Sequence, residues 1–156
     1  MYEPIRTKSV HTMAAAPEVP HRSREEELDI RLAGQLTALL TVTDELHARA
    51  TRDAGGTADG AAPDGAALDG AALAAAAERI AEQVARLSGG HYPLRAEPSD
   101  DSSPSRTEAL QQRAHTLAGN ALAVATSRGD AAAMALTAER MEAHAAPLRD
   151  RDLATA

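Results

Sequence analysis

Histidine and carboxylate side chains at helical spacing are the part of this sequence best suited to chemistry. Asp44 and His47 stand three residues apart, and His115 and His144 occur in two later segments with helical periodicity. Di-metal helical bundles need inward-facing carboxylates from two helices and Glu-x-x-His pairs from two others. Here one Asp-x-x-His pair is present, and the predicted helices carry no Glu-x-x-His pair. A metal or small-ligand site at Asp44, His47, His115 and His144 is therefore kept as an alternative hypothesis.

Composition and charge argue against several functional classes. The chain of 156 residues has no Cys, Phe or Trp and a net charge of −7, with its basic residues scattered among acids. Thiolate chemistry lacks its nucleophile, base stacking has only two tyrosine rings available, and no basic stripe is present to neutralise phosphates. No apolar run resembles a membrane span or a secretory signal. We therefore expect a cytoplasmic protein that is not an enzyme, binds no cofactor, and has neither nucleic acid nor membrane as a partner.

The tripeptide Arg128-Gly129-Asp130 poses a choice between an adhesive motif and a corner between two helices. Glycine adopts the left-handed conformation that ends helices, and aspartate is a preferred residue at the position that starts one. Because receptor adhesion also requires secretion, for which no signal is visible, we interpret the tripeptide as a corner.

The remaining periodicity predicts an all-α protein, an antiparallel four-helix bundle with a tight C-terminal helical hairpin and a disordered N-terminal tail. Ser23 with Glu26 and Ser105 with Glu108 form possible capping boxes at the starts of the first and third helices. The predicted helices cover residues 23–51, 66–88, 105–128 and 131–148, with a tail at 1–22, loops at 52–65 and 89–104, and a tail at 151–156.

The tetrapeptide Asp-Gly-Ala-Ala recurs with a period of five residues, starting at Asp59, Asp64 and Asp69. A period of five suits neither a helical face nor a known repeat fold. We interpret the repeat as a loop whose last or second-last aspartate caps the second helix.

Each helix has an apolar seam with a spacing of four and three residues. In the first helix the seam runs from Leu32 to Leu46, and in the fourth it includes Met134, Ala138 and Met141. A turn at Gly129 would place Ala121 beside Ala138 and Leu117 beside Met141, so that large and alanine layers alternate. Alanine supplies about a quarter of the residues, and the core is therefore expected to be thin.

The first helix carries apolar residues away from its main seam, at Leu28, Ile30 and Leu40. A second apolar face meets either another helix of the same chain or a partner. These residues predict an interaction surface, and we favour a homodimer over a complex with another protein. The sequence thus predicts a non-enzymatic interaction or regulatory module, with the histidine site as the competing hypothesis.

Overall fold

The computed structural model describes residues 21–56 and 68–156, which form four α-helices and no strand. The helices are α1 (Arg24–Gly56), α2 (Gly70–Leu87), α3 (Pro104–Arg128) and α4 (Ala131–Ala154). Within the described residues, the predicted all-α bundle is confirmed. The predicted tail up to residue 20 lies outside the described residues, as do 57–67 with Asp59 and Asp64 of the repeat.

Helices that contact each other in the bundle are antiparallel. Helices α2 and α3 run in the same direction, but both pack on α1 and they are not among the contacting pairs. The C-terminal part of α1 contacts the start of α2 at Gly70 and the start of α3 at Thr107, while the end of α3 at Arg128 reaches Asp29 near the start of α1. The extensive contacts join α1 to α2, α1 to α3, and α3 to α4, whereas α2 and α4 touch only weakly. The pair α1 and α2 is thus packed as extensively as the C-terminal hairpin.

A crossover segment, residues 88–103, returns the chain along the bundle so that α3 starts beside the end of α1. Arg95 donates two hydrogen bonds of 2.7 and 2.6 Å to the Asp44 carboxylate of α1 and one of 3.1 Å to Glu78 of α2. The hydrogen bonds to Asp44 raise the pKa of Arg95 despite the opposing effect of burial. The midpoint of the crossover is therefore fixed across two helices.

The end of the crossover is held by Arg49, a buried residue of α1. Its guanidinium donates to the Thr107 hydroxyl over 2.7 Å and to the backbone carbonyls of Asp101 and Ser103. Three acceptors satisfy a charge that would be costly to bury alone. Arg49 thereby joins the end of α1 to the start of α3.

Local capping explains most of the helix boundaries. Ser23 and Glu26 form the predicted capping box, with bonds of 2.8 and 3.1 Å. Asp69 accepts from the amide of Ala72 and so caps α2, the second of the two aspartates proposed for that position. The capping box predicted at Ser105 is wrong, because α3 begins one residue earlier at Pro104 and its N-cap is Ser103.

Two helices are longer than their sequence patterns indicate. The first continues past the predicted end at residue 51 to Gly56, and the fourth continues through Pro147 to Ala154, where a tail was expected. Proline removes one backbone donor and crowds the carbonyl four residues earlier, which disfavours a helix interior without excluding it, and α4 continues past Pro147. The second helix, by contrast, begins at Gly70 instead of residue 66.

The core combines leucines from α1, an apolar row from α2 that includes Leu73, Ile80 and Val84, and alanines from α3. The seam from Leu32 to Leu46 is fully buried, as predicted, and α3 adds a buried alanine row. The residues of that row are Ala114, Ala118, Ala121 and Ala125. Small side chains let the helix axes approach closely, which compensates in packing for the small area each methyl group buries.

The predicted seam of α4 is wrong by about one residue. Ala138 is exposed, and Met134 and Met141 are only half-buried, whereas Thr137 is completely buried. The Thr137 hydroxyl donates to the Ala133 carbonyl over 2.7 Å, so its burial leaves no polar group unpaired. The buried face of α4 is therefore centred on Ala133, Thr137, Arg140 and His144.

Candidate functional site

The outer face of α1 is the side of the helix, between Glu27 and Thr41, that no other described element covers. It consists of Glu27, Ile30, Gly34, Thr37 and Thr41, which recur at helical spacing. Ile30 is 53% exposed, unlike the fully buried leucines of the same helix. Further along, the crossover segment covers Asp44 and Glu45. This face is thus an apolar and small-residue strip between acidic ends.

The three residues predicted from sequence as an interaction surface differ in exposure. Ile30 lies on the outer face, and Leu28 is half-buried at the base of the bundle. Leu40 is 1% exposed and belongs to the core, so its inclusion in an exposed surface is wrong. Because α1 packs on both α2 and α3, it buries a wider arc than a single seam, and Leu40 falls within that arc.

The outer face is suited to being covered by protein. The Thr37 hydroxyl donates to the Ala33 carbonyl over 2.8 Å, and the Thr41 hydroxyl donates to the Thr37 carbonyl over 3.1 Å. Excluding water from these hydroxyls would therefore leave neither without a hydrogen bond. A Cβ built on Gly34 would meet nothing within 4 Å, so the described residues give no packing reason for a glycine in mid-helix.

A cleft of about 810 Å³ lies beside Ile30, between the start of α1 and the end of α2. Its lining combines Ile30 and Leu87 with charged or polar residues of the helix start, namely His21, Arg22, Glu26, Glu27 and Asp29. The apolar part of the lining is shallow and open to solvent. It therefore extends the outer face of α1 toward α2.

On the other side of α1, a groove of about 490 Å³ separates α1 from α3. Val42 and Leu110 form its buried floor, and the exposed Ala109 leaves the α3 wall low. Arg106 and Arg113 stand one turn to either side of Ala109. Neither guanidinium donates a hydrogen bond to a described residue, although the charge of Arg106 helps to lower the pKa values of Glu45 and Asp101. We call this depression the α1–α3 groove; its remaining lining is Ala38, Thr41 and Glu45.

The three histidines of the alternative hypothesis make separate hydrogen bonds. His47 lies 3.0 Å from the Gly70 carbonyl oxygen, and His115 lies 2.9 Å from the Met141 carbonyl oxygen. Asp44, the proposed carboxylate ligand, is occupied by Arg95. Among the described residues, no group of three or more His, Asp or Glu side chains is arranged to hold a metal ion.

His144 belongs to a polar cluster inside the hairpin of α3 and α4. Its Nδ1 lies 2.7 Å from the amide oxygen of Gln111, and burial together with the nearby Arg140 charge lowers its pKa from 6.5 to about 4. His144 is therefore neutral near pH 7. Its Nε2 and the Nε of Arg140 are buried without a hydrogen-bond partner among the described residues.

Glu139 and Glu142 of α4 are paired with arginines. Glu139 accepts from Arg79 of α2 over 2.6 Å, and this hydrogen bond lowers the pKa of Glu139. The hydrogen bond from Arg149 likewise lowers the pKa of Glu142. General acid–base catalysis favours a group whose pKa lies near the working pH. The lowered pKa values of Glu139 and Glu142 lie further from neutral pH than the ordinary glutamate value.

The tripeptide at residues 128–130 is the corner that the sequence predicts. Gly129 has φ of 73° and ends α3, and the Asp130 carboxylate caps α4 by accepting from the amide of Ala133 over 3.0 Å. Arg128 donates to Asp29 of α1 over 2.8 Å. All three residues of the motif are thus engaged within the fold.

Several residues of this region were missed by sequence reasoning. Arg49, Arg106 and Arg113 look like ordinary charged helix positions in the sequence. The available signal was the spacing of Arg106 and Arg113 around Ala109, which places all three on one face of a helix. For the buried Arg49 no local signal exists, because its acceptors lie more than fifty residues away.

None of the helices in the described part of the chain is long and apolar enough to cross a membrane. A comparison with models of protein families, with curated proteins and with solved structures finds no match for this chain. The geometry of the described surfaces is therefore the basis for a functional assignment.

Proposed function

We propose that this protein is a non-enzymatic interaction module that binds through the outer face of α1, with a second copy of the chain as its favoured partner. The observation that carries the proposal is the exposure of Ile30. It is a large aliphatic residue, 53% exposed, near the N-terminal end of an open face whose two threonines, Thr37 and Thr41, are already hydrogen-bonded within the helix.

Burial of Ile30 on association would make a modest favourable contribution. Complete burial of an isoleucine side chain contributes about 1.5–3 kcal/mol. About half of the Ile30 side chain is still exposed, so its burial by a partner would contribute about half of that free energy. In a two-fold symmetric dimer each copy buries its own Ile30, so this free energy is gained twice. The adjoining Leu87 and the cleft beside it enlarge the surface that a partner would cover.

The charged groups support a binding role over catalysis. His144 is neutral and inaccessible, and Glu139 and Glu142 are engaged by arginines. Catalytic groups need access to a substrate and a pKa matched to proton transfer. The outer face of α1, in contrast, is accessible to a partner.

Sedimentation velocity over a wide concentration range tests this proposal. The wild-type chain is expected to form a dimer as concentration rises, and Ile30→Asp is expected to remain a monomer with unchanged helicity. Leu153→Asp is the matched control, since Leu153 is also an exposed aliphatic residue but lies at the end of α4. An Ile30→Asp variant that associates as well as the wild type would contradict the proposal.

A further inference from the structure

We propose that two copies of this chain pair with their α1 helices antiparallel, so that the outer face of α1 in each copy occupies the α1–α3 groove of the other. This inference rests on the proposed function and specifies the mode of self-association. It is carried by a match in spacing and chemistry between the two surfaces.

The spacing match concerns three residues on each side. On the outer face, Glu27, Ile30 and Gly34 are separated by three and then four residues. On the rim of the groove, Arg106, Ala109 and Arg113 are separated by the same three and four residues. Both sets therefore occupy equal steps of about 4.5 and 6 Å along a helix.

The directions of the two helices also agree. Within one copy, α1 and α3 are antiparallel, since Arg49 contacts Thr107 and Asp29 contacts Arg128. An α1 helix from a second copy that runs antiparallel to α1 consequently runs parallel to α3. Its residues then meet those of the groove in the order of their numbering.

The chemistry is complementary at each of the three steps. Glu27 would lie beside Arg106, and neither side chain has a hydrogen bond or salt bridge within the described residues of its own copy. Ile30 would lie over the exposed Ala109, above the floor formed by Val42 and Leu110. Gly34 would lie opposite Arg113, where the missing side chain leaves room for the guanidinium.

A second copy is the occupant favoured by charge and symmetry. Each chain has a net charge of −7, so two copies repel each other, and a contact that pairs a basic element with an acidic one offsets part of that repulsion. The groove and the acidic end of α1 provide such elements on the same molecule. A two-fold axis generates two equivalent contacts, so both surfaces of each copy are occupied and the assembly stops at a dimer.

Sedimentation equilibrium on charge-exchange variants tests this pairing. Glu27→Arg and Arg106→Glu are each expected to raise the dimer dissociation constant at least tenfold, because each places like charges together. The double variant, Glu27→Arg with Arg106→Glu, is expected to restore dimerisation by recreating the pair between copies. Arg149→Glu on α4 is the control for the change in net charge, and circular dichroism checks that each variant is folded.

The outcomes separate this inference from the proposed function. Loss of dimer in Ile30→Asp but not in the single charge variants would leave the proposed function standing and overturn the pairing. Single variants that weaken association without rescue by the double variant would overturn it as well. A wild-type chain that is monomeric at every concentration would contradict self-association altogether.

Discussion

His144 of α4 and Gln111 of α3 form a hydrogen bond inside the C-terminal hairpin, with 2.7 Å between Nδ1 and the amide oxygen. Both side chains are buried. When the amide oxygen accepts, Nδ1 carries the proton and Nε2 is an unprotonated nitrogen facing the protein interior. The hairpin is therefore built around a histidine that must remain neutral.

This relationship predicts a loss of stability in mild acid. The pKa of folded His144 is lowered to about 4, below the ordinary value of 6.5, so the unfolded chain binds more protons between these limits. The contribution of the neutral histidine is complete above pH 6.5 and is lost progressively as the pH falls toward 4. Between pH 6.5 and about pH 5, the free energy of unfolding should fall by about 2 kcal/mol.

Urea unfolding at a series of pH values measures this effect. His144→Gln should show little change over the same interval, whereas His91→Gln, which removes an exposed histidine, should retain the wild-type slope. Carboxylates with lowered pKa values, such as Glu139, act mainly below about pH 5 and leave this window clear. Equal slopes for the wild type and His144→Gln would mean that His144 is not the group responsible.

The alanine row of α3 predicts a contrast between two alanine substitutions. Ala121→Leu places a large side chain where the wild type has 0% exposure, and overpacking should cost about 1–3 kcal/mol of unfolding free energy. Ala138→Leu on the exposed side of α4 should change stability by less than about 0.5 kcal/mol. Thermal unfolding distinguishes them, and a costly Ala138→Leu would restore the seam that the sequence suggests.

The corner at Gly129 predicts a penalty from the backbone alone. Gly129 has φ of +73°, and a Cβ there would meet nothing within 4 Å. Gly129→Val should therefore lose about 1–2 kcal/mol of stability through conformational strain without any steric clash. Gly129→Asn should lose less, since asparagine tolerates the left-handed region. Similar stabilities for the valine and asparagine variants, measured by chemical denaturation, would show that positive φ is not required.

Substitutions of Gly34 are expected to stabilise the monomer and to weaken dimerisation. An exposed glycine in mid-helix is about 1 kcal/mol less favourable than alanine, so Gly34→Ala should stabilise the monomer by about that amount. If Gly34 makes room for Arg113 of a second copy, Gly34→Leu should weaken dimerisation while remaining folded. Denaturation at low concentration and sedimentation at high concentration separate the two effects. Unchanged dimerisation in Gly34→Leu would place the contact elsewhere.

The sequence predicts much of this fold because several signals are local. Asp69, Asp130 and Gly129 act within a few residues of themselves, and the leucine seam of α1 has an unambiguous period. The start of α3 was harder to place, because two serines and a proline compete within three positions. Capping chemistry and periodicity thus predict that a helix exists, but they locate its first and last residues only approximately.

The register of α4 could not be predicted, because alanine on several faces of that helix removes the contrast that defines a seam. The apolar spacing indicates Met134 and Met141 as the seam, but Thr137, Arg140 and His144 are buried instead. Their burial depends on partners such as Gln111, which is distant in sequence. The error at Leu40 has a similar origin, since only the packed bundle shows that α1 is covered on two sides.

Native mass spectrometry of the protein purified from its own host tests the central claim most directly. We expect a dimer, or a protein complex of fixed stoichiometry, with no additional non-protein mass. We also expect Ile30→Asp to abolish the assembly and Leu153→Asp to leave it intact. A monomer that retains a stoichiometric metal or small ligand, or an assembly unaffected by Ile30→Asp, would contradict the proposed role of the outer face of α1.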